Sequence, residues 1–177
     1  MQLRRAGPYD LDFIVVQESR PDFALLVGSW DHATHASNLR HPNLEYWIIE
    51  SDQGEPDGFV ILSGLQSPHR AIELTRIVMK EPGAGRGRRA CEQVLRYVFD
   101  TLGAHRLSLD VIETNERAAR LYASLGFKRE GLLREAFRRG EQYRSLILMS
   151  LLETEYRAHP EATAQRHGSS RPPVDSS

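Results

Sequence analysis

The sequence predicts a single α/β domain, in which helices pack on both faces of a mixed sheet. With 177 residues, the chain is long enough for one domain with a sizeable core. Hydrophobic residues make up 40% and charged residues 27% of it, as in ordinary soluble proteins. Strand-like and helix-like segments follow in the order β-α-α-β-β-β-α-β-α-β-β, which requires a sheet with helices on its faces.

The charge balance and the cysteine content exclude several classes of protein. The formal net charge is −1, so no general field attracts nucleic acid or an anionic membrane. No apolar run approaches the ~20 residues that span a bilayer, and none follows the basic pair near the N-terminus. The single cysteine, Cys91, excludes an internal disulfide and a multi-cysteine zinc site. We therefore expect a cytoplasmic protein without a membrane partner.

The first half of the chain alternates between helical and strand-like patterns. The segment before Pro21 has apolar residues at helical spacing and acids near its start, which favours a helix that the proline ends. The cluster DQGEPDG lies between two apolar runs and predicts a hairpin turn. The predicted elements are a strand at 2–6, helices at 9–20 and 29–42, and strands at 44–51, 59–65 and 71–79.

The second half continues this alternation around two helices. Apolar residues from Ala90 to Leu102 recur with a period near 3.6, and Gly126 is placed to end a second, shorter helix. The tail is polar and rich in proline, so we predict a domain over residues 1–156 and a disordered segment over 157–177. The predicted elements are a helix ending at Leu102, a strand at 105–112, a helix at 115–125, and strands at 127–137 and 142–152.

A glycine-rich loop, KEPGAGRGRRA at residues 80–90, precedes the longer helix. Glycine lets the backbone approach a ligand closely, and the helix N-terminus offers free amides and a positive dipole end, which predicts a phosphate site. A P-loop is excluded because Arg88 and Arg89, not Lys-Ser/Thr, follow Gly87. A dinucleotide loop with Asp110 as its ribose-binding acid, a coenzyme A pyrophosphate site and a plain surface turn remain open.

A second motif, NERAARLYASLGF, occupies residues 115–127. Asn115 is a good helix N-cap, and Tyr122 lies seven residues further on the same helix face, about 10.5 Å along the axis. A buried tyrosine hydroxyl needs a hydrogen-bond partner, which a ligand on this face would supply. The alternative is that Asn115 only caps the helix and Tyr122 is only a core residue.

Together, RIVMKEPGAGRGRRACEQVL and LDVIETNERAARLYASLGF resemble the GCN5-related N-acetyltransferase (GNAT) superfamily, over residues 1–155. The segment EGLLREAFRRGEQYRSLILMSLLETEY is similar to the group that acetylates N-termini of ribosomal proteins, and to relatives that act on small amines. The resemblance implies a mostly antiparallel sheet that splays between its fourth and fifth strands. In one departure, Pro82 stands where the family loop has Gln or Arg, but Gly85 and Gly87 are in place.

The implied activity is transfer of an acetyl group from acetyl-CoA to a primary amine, by direct transfer in a ternary complex. The amine belongs either to a protein N-terminus or to a small molecule. The alternatives are a non-catalytic CoA-binding or regulatory module, and a dinucleotide-binding oxidoreductase. No metal and no nucleic acid is expected, and a homodimer is a further expectation from sheets of this kind.

The resemblance also implies roles for individual residues. Tyr122 is expected to protonate the departing thiolate, and Glu73 to accept the proton of the amine directly or through water. A free amide, that of Val78, is expected to stabilise the developing oxyanion. The other expected cofactor-binding residues are Ile77, Met79, Gly83, Ala84, Gly85, Arg86, Gly87, Arg88, Asn115 and Arg117.

Glu73 and Cys91 each allow a plainer interpretation. We expect Glu73 to lie in phase with Ile77 and Met79, but an ion pair with Arg70 or Arg76 is the alternative. Cys91 lies near a helix start, where a thiol pKa is lowered, but no histidine is obviously placed to serve it. We therefore interpret Cys91 as a small buried residue.

The acceptor is expected to enter between the helical region 9–42 and the turn at 137–142. Position alone suggests Asp22, Trp30, Arg134 and Glu135 as lining residues. The histidines at 32 and 35 are interpreted as part of a polar helix that faces the substrate, rather than as metal ligands.

Overall fold

A seven-stranded mixed sheet forms the centre of the molecule, with strand order β1-β2-β3-β4-β5-β7-β6. The structure is a computed structural model that describes residues 1–24 and 28–158, without the side chains of Asp22, Ala24 and Arg139. All neighbouring strands pair antiparallel except β4 and β5, which are parallel. The strands are β1 Gln2–Arg5, β2 Leu44–Glu50, β3 Pro56–Ser63, β4 Ala71–Met79, β5 Arg106–Ile112, β6 Lys128–Arg139 and β7 Gln142–Leu152.

The helices connect these strands and cover both faces of the sheet. They are α1 Leu11–Glu18, α2 Pro21–Ala24, α3 His32–Asn38, α4 Arg86–Arg96, α5 Glu116–Ser124 and α6 Glu153–Ala158. A π-helical turn, Tyr97–Thr101, continues α4. In the described part of the chain, no helix is long and apolar enough to cross a membrane. Helix α6 includes the first two residues of the predicted tail, and residues 159–177 lie outside the described residues.

Two apolar cores lie on opposite faces of the sheet. The larger core, under α4, α5 and α6, includes Val94, Phe99, Leu107, Leu109 and Leu151. The smaller core, under α1 and α3, includes Leu11, Ile14, Tyr46, Phe59 and Ile61. Strand β5 alternates accordingly, with Leu107 and Leu109 turned towards the larger core.

Strands β4 and β5 separate soon after they begin. Their pairing runs only from Ala71–Arg106 to Glu73–Ser108. On the other edge of β4, Ile61 pairs with Arg76 and Leu62 with Leu74, so Thr75 is an extra residue that forms a β-bulge. The predicted splay between the fourth and fifth strands is confirmed, and the bulge lies where the gap opens.

The bulge inverts the side-chain alternation of β4. Leu74 before it and Met79 after it both belong to the larger core, although their positions differ by an odd number, which in a regular strand places two residues on opposite faces. Val78 belongs to the smaller core on the opposite face. Glu73 consequently lies on the same face as Val78, so the prediction that it is in phase with Met79 and Ile77 was wrong.

Candidate active site

The gap between β4 and β5 opens into a cleft of about 480 Å³, which we call the central cleft. It extends from the glycine loop at one end to α2 at the other. The residues that line it include Phe23, Thr75, Arg76, Ile77, Met79, Pro82, Gly83, Gly85, Gly87, Arg88, Cys91, Asp110, Asn115, Arg117 and Tyr122. Most of the predicted cofactor-binding residues are thus brought together in one place.

The glycine loop forms one end of the central cleft, in front of α4. Gly83, Ala84 and Gly85 have φ angles of 118°, 48° and 71°, all in the left-handed region. Glycine adopts this region at little cost, whereas for Ala84 it costs about 1 kcal/mol. Among the described residues, the amides of 83–85 and 87 have no main-chain or side-chain acceptor. These amides and the dipole of α4 form a nest that suits an anion.

The arginines near the loop divide into two groups. Arg86 pairs with Glu81 at 3.0 Å and with Asp57 at 3.5 Å, and it does not line the central cleft. Arg88 does line it, and its Nη2 donates to Ser124 Oγ at 2.6 Å. Arg117 also lines it and has no hydrogen bond or ion pair within the described residues. Arg88 and Arg117, rather than Arg86, therefore supply positive charge at the glycine-loop end of the central cleft.

Helix α5 presents Asn115 and Tyr122 to the central cleft. Asn115 Oδ1 accepts a hydrogen bond from the Ala118 amide at 3.2 Å, so the predicted cap is formed and the side-chain NH₂ remains for a ligand. Tyr122 is 8% exposed, and its hydroxyl has no partner in the described part of the chain. Burial, then Cys91 and Asp110, raise the pKa of Tyr122, so it is a neutral phenol that keeps a proton to donate.

The main-chain amides of β4 alternate between β3 and the gap. The Lys80 amide donates to Asp57 O on the β3 side at 2.7 Å. Since the amides of residues i and i+2 point to the same edge of a strand, the Val78 amide also faces β3. The Val78 amide is therefore not the free one that we expected. The amides of Ile77 and Met79 face the gap instead.

Two carboxylates, Glu73 and Asp110, lie where β4 and β5 separate. Glu73 ends the paired segment opposite Ser108, and Asp110 follows Ser108 by two residues on the same face of β5. Within the described residues, neither has a hydrogen bond or ion pair. The alternative ion pairs for Glu73 are not formed, because Arg70 pairs with Glu153 and Arg76 with Glu18.

The surroundings of both carboxyls favour the protonated form. Partial burial raises the pKa of Asp110, and partial burial followed by the charge of Asp110 raises the pKa of Glu73. Asp110 was considered from sequence only as a ribose-binding acid. The sequence did contain a signal for its position. Leu107 and Leu109 face the larger core, so the polar Asp110, which alternates with them along β5, must face the other side of the sheet.

A buried ionic network borders the α2 end of the central cleft. Glu18, which is fully buried, accepts a 2.6 Å hydrogen bond from Arg76 Nη1 through Oε1 and a 2.9 Å bond from the Trp30 amide through Oε2. His35 lies 3.1 Å from Glu18 Oε2 through Nε2 and 3.2 Å from Tyr46 Oη through Nδ1. His35 is fully buried, so the prediction that it faces the substrate was wrong.

Three predicted acceptor residues lie outside the lining of the central cleft. Trp30 borders it through Arg76, whose Cζ lies 3.7 Å from the centre of the indole ring. Arg134 and Glu135 are exposed on β6. The fourth, Asp22, has a side chain outside the described part. The part of β6 that approaches the 28–30 segment is Phe137, whose Cε2 would lie 3.9 Å from a Cβ placed on Gly28.

Cys91 and the histidines of the described part of the chain supply no further reactive centre. Burial raises the pKa of Cys91 to about 12, which supports its interpretation as a small buried residue rather than a nucleophile. Among the residues that the structure describes, no three His, Cys, Asp or Glu side chains are grouped closely enough to hold a metal ion.

A family model described as "Acetyltransferase (GNAT) family" matches residues 13–127. The chain belongs to the GNAT acetyltransferase family. It is therefore an N-acetyltransferase that depends on acetyl-CoA, and not the non-catalytic module considered as an alternative. The dinucleotide alternative was wrong as well, since that unit needs a mostly parallel sheet and this GNAT sheet is mostly antiparallel.

Two curated relatives share sequence similarity with this chain. The spermidine N(1)-acetyltransferase of Escherichia coli K12 is 34% identical over 84% of this chain and 77% of its own length. A putative ribosomal N-acetyltransferase of Bacillus subtilis is 27% identical over 56% of this chain and 55% of its own. The predicted resemblance to the ribosomal group is thus not confirmed, although the GNAT superfamily is.

Solved structures agree on the fold. A chimera of the Vibrio cholerae spermidine N-acetyltransferase SpeG and hSSAT superposes with a TM-score of 0.79 at 26% identity, covering 90% of this chain and all of that one. The V. cholerae enzyme in complex with CoA and spermine gives 0.80 at 24% identity, over 88% and 96% of the two chains. The predicted GNAT fold is confirmed.

Proposed function

We propose that this GNAT enzyme transfers the acetyl group of acetyl-CoA to a primary amine of a small, amine-rich molecule. One observation carries the proposal: the gap between β4 and β5 has free amides along one edge, Tyr122 on one face, and two unpaired acids, Glu73 and Asp110, on the other. Acetyl transfer from a thioester to an amine acceptor needs a base, a hydrogen-bond donor for the oxyanion and a proton donor for the thiolate.

Polyamines are the first acceptors to test. The E. coli relative is named for spermidine, and its similarity extends over most of this chain. Asp110 lines the central cleft, and Glu73 lies beside it where the β4–β5 pairing ends; neither carboxyl has a partner in the described part of the chain, and when ionised they attract a cationic amine. A protein N-terminus has weaker support, because the ribosomal relative matches only 56% of the chain.

In this proposal the cofactor lies along the central cleft. The free amides of residues 83–85 and 87 and the side chains of Arg88 and Arg117 bind the pyrophosphate. The amides of Ile77 and Met79 bind the pantetheine arm as an added strand would. The Asn115 NH₂ group donates to a carbonyl of the same arm.

The chemical step uses both faces of the sheet. Glu73 or Asp110 accepts a proton from the ammonium group, directly or through water, and the free amine forms a C–N bond with the thioester carbonyl carbon. An amide of β4 that faces the gap stabilises the negative charge on the carbonyl oxygen. As the C–S bond breaks, Tyr122 donates its proton to the sulfur from the opposite face. The nitrogen loses its second proton as the amide forms, and a proton returned through water restores the Tyr122 phenol.

The test of this function is a thiol-release assay with purified protein. We expect free CoA thiol to appear with acetyl-CoA plus spermidine, and not with acetyl-CoA alone or with a tripeptide that has a free N-terminus. Mass spectrometry then shows one added acetyl group on spermidine. Tight CoA binding without transfer to any of a panel of primary amines would refute the proposal.

Separate substitution of Glu73 and of Asp110 identifies which of them is the base. The charge of Asp110 raises the pKa of Glu73, so Asp110→Asn lowers that pKa. If Glu73 is the base, Asp110→Asn keeps most of its kcat, and the fall of kcat/KM on the acidic side of the pH profile moves to lower pH. Glu73→Gln then loses ~100-fold in kcat. The measurement is kcat/KM against pH between about 5 and 9.

The reverse pattern assigns the proton transfer to Asp110. In that case Asp110→Asn loses the activity. Glu73→Gln keeps the activity and the pH dependence, because burial alone raises the pKa of Asp110. Activity that survives in both single variants with unshifted profiles would remove both carboxylates from the mechanism. Glu55→Gln, at an exposed acid in the β2–β3 turn, is the matched control.

A further inference from the structure

Arg76 has an unusually fixed guanidinium group at the α2 end of the central cleft. The residue is only 7% exposed, and its Nη1 donates to the buried Glu18 carboxylate at 2.6 Å. One face of the guanidinium lies on the Trp30 indole at 3.7 Å. Glu18 also accepts from the Trp30 amide and lies beside His35, so helix α1, the 28–30 segment, α3 and β4 together hold Arg76 in place.

The same guanidinium keeps donors for a ligand. Within the described residues, Nη1 is the only nitrogen of Arg76 that has a hydrogen-bond acceptor, and Nε and Nη2 have none. Arg76 nevertheless lines the central cleft. A guanidinium withdrawn from water binds a planar pair of oxygens well, because its donors form a rigid fork.

The charges around Arg76 favour an anionic group over a second ammonium. Glu18 compensates Arg76 from the buried side, so the positive end of this ion pair faces the central cleft. The bulge at Thr75 places Arg76 on the same face of β4 as Glu73, and Asp110 lies on that face of β5. The acceptor site thus combines unpaired acids, which suit an amine, with a fixed cation, which suits a carboxylate.

We propose that Arg76 binds a carboxylate of the acceptor, so that the preferred substrates are primary amines that also carry a carboxylate, such as diamino acids. The inference rests on the proposed amine acetyltransferase function and narrows its acceptor class. Arg76 is then a specificity-determining residue. Glu18 is a positioning residue, because it acts through Arg76 and Trp30.

Matched pairs of acceptors test this directly in the unmodified enzyme. Lysine differs from cadaverine, and ornithine from putrescine, only by a carboxylate. We expect kcat/KM to be at least about tenfold higher for the amino acid of each pair, with spermidine as the reference polyamine. Equal or higher kcat/KM for both diamines would overturn the inference and leave the amine acetyltransferase function intact.

Substitutions then assign the preference to Arg76. Because Arg76→Gln alone leaves a buried, unpaired Glu18, the main variant is the double exchange Glu18→Gln with Arg76→Gln. We expect the preference for lysine over cadaverine to fall to near unity, chiefly through KM for lysine, with CoA binding by calorimetry retained. Arg76→Lys keeps the charge but loses the fork, so its preference is intermediate.

Three results separate the possible failures. A preference that persists unchanged in the double variant would refute the role of Arg76. A loss of kcat by the same factor for every acceptor would show a structural role rather than a role in specificity. Absence of transfer to any amine, with CoA binding intact, would refute the proposed function and the inference together.

Discussion

Replacement of Tyr122 by phenylalanine is expected to lower kcat by ~100-fold or more. The side chain lines the central cleft on α5, and in the described part of the chain its hydroxyl has no protein partner. Burial raises the pKa of Tyr122, so the proton is present throughout the working pH range. Phenylalanine keeps the ring that packs 5.6 Å from Phe127 and removes only the proton donor.

The measurement is steady-state kinetics together with CoA binding. We expect KM for acetyl-CoA and the calorimetric affinity for CoA to change much less than kcat, because the ring and its packing remain. Tyr143→Phe, at an exposed tyrosine on β7, is the matched control and keeps the activity. An unchanged kcat in Tyr122→Phe would show that Tyr122 only packs in the core and is not the proton donor.

Local patterns predicted the secondary structure well where a single periodicity applied. The predicted strands 71–79 and 142–152 coincide with β4 and β7, because uninterrupted β-rich runs end at clear turn signals. Helix α5 was also predicted closely, because its N-cap at Asn115 and its end before Gly126 are both marked in the sequence. These signals lie within a few residues of one another.

The two errors within β4 have different structural causes. In a regular strand, side chains alternate between the two faces of the sheet at every residue. The bulge at Thr75 inserts one extra residue and so reverses this alternation. Glu73 is thereby placed on the face opposite to Met79. The Val78 amide was misassigned because its direction depends on the pairing with β3, which the sequence of β4 does not contain.

The buried network was not predicted because its members are distant in the sequence. Arg76 and Glu18 are 58 positions apart, and His35 lies on a third element. Each of these residues alone is typical of a solvated surface. Only when the fold brings them into contact does Arg76 become a fixed group of the cleft wall.

Replacement of Gly85 by aspartate is expected to weaken CoA binding by about 30-fold or more. A Cβ at Gly85 meets no atom within 4 Å, and aspartate tolerates the φ of 71° better than most residues, so the fold is kept. The new carboxylate lies within the nest of free amides, where it repels a pyrophosphate by roughly 2 kcal/mol or more. Calorimetric titration with CoA measures the effect.

Gly85→Asn is the matched control for this prediction. Asparagine has nearly the same shape and the same tolerance of positive φ as aspartate, but it carries no charge. We expect its affinity for CoA to fall only a few-fold, and the difference between the two variants to shrink as salt screens the added charge. Equal affinities for CoA in the two variants would place the pyrophosphate elsewhere, because no electrostatic cost would then arise from an anion at the start of α4.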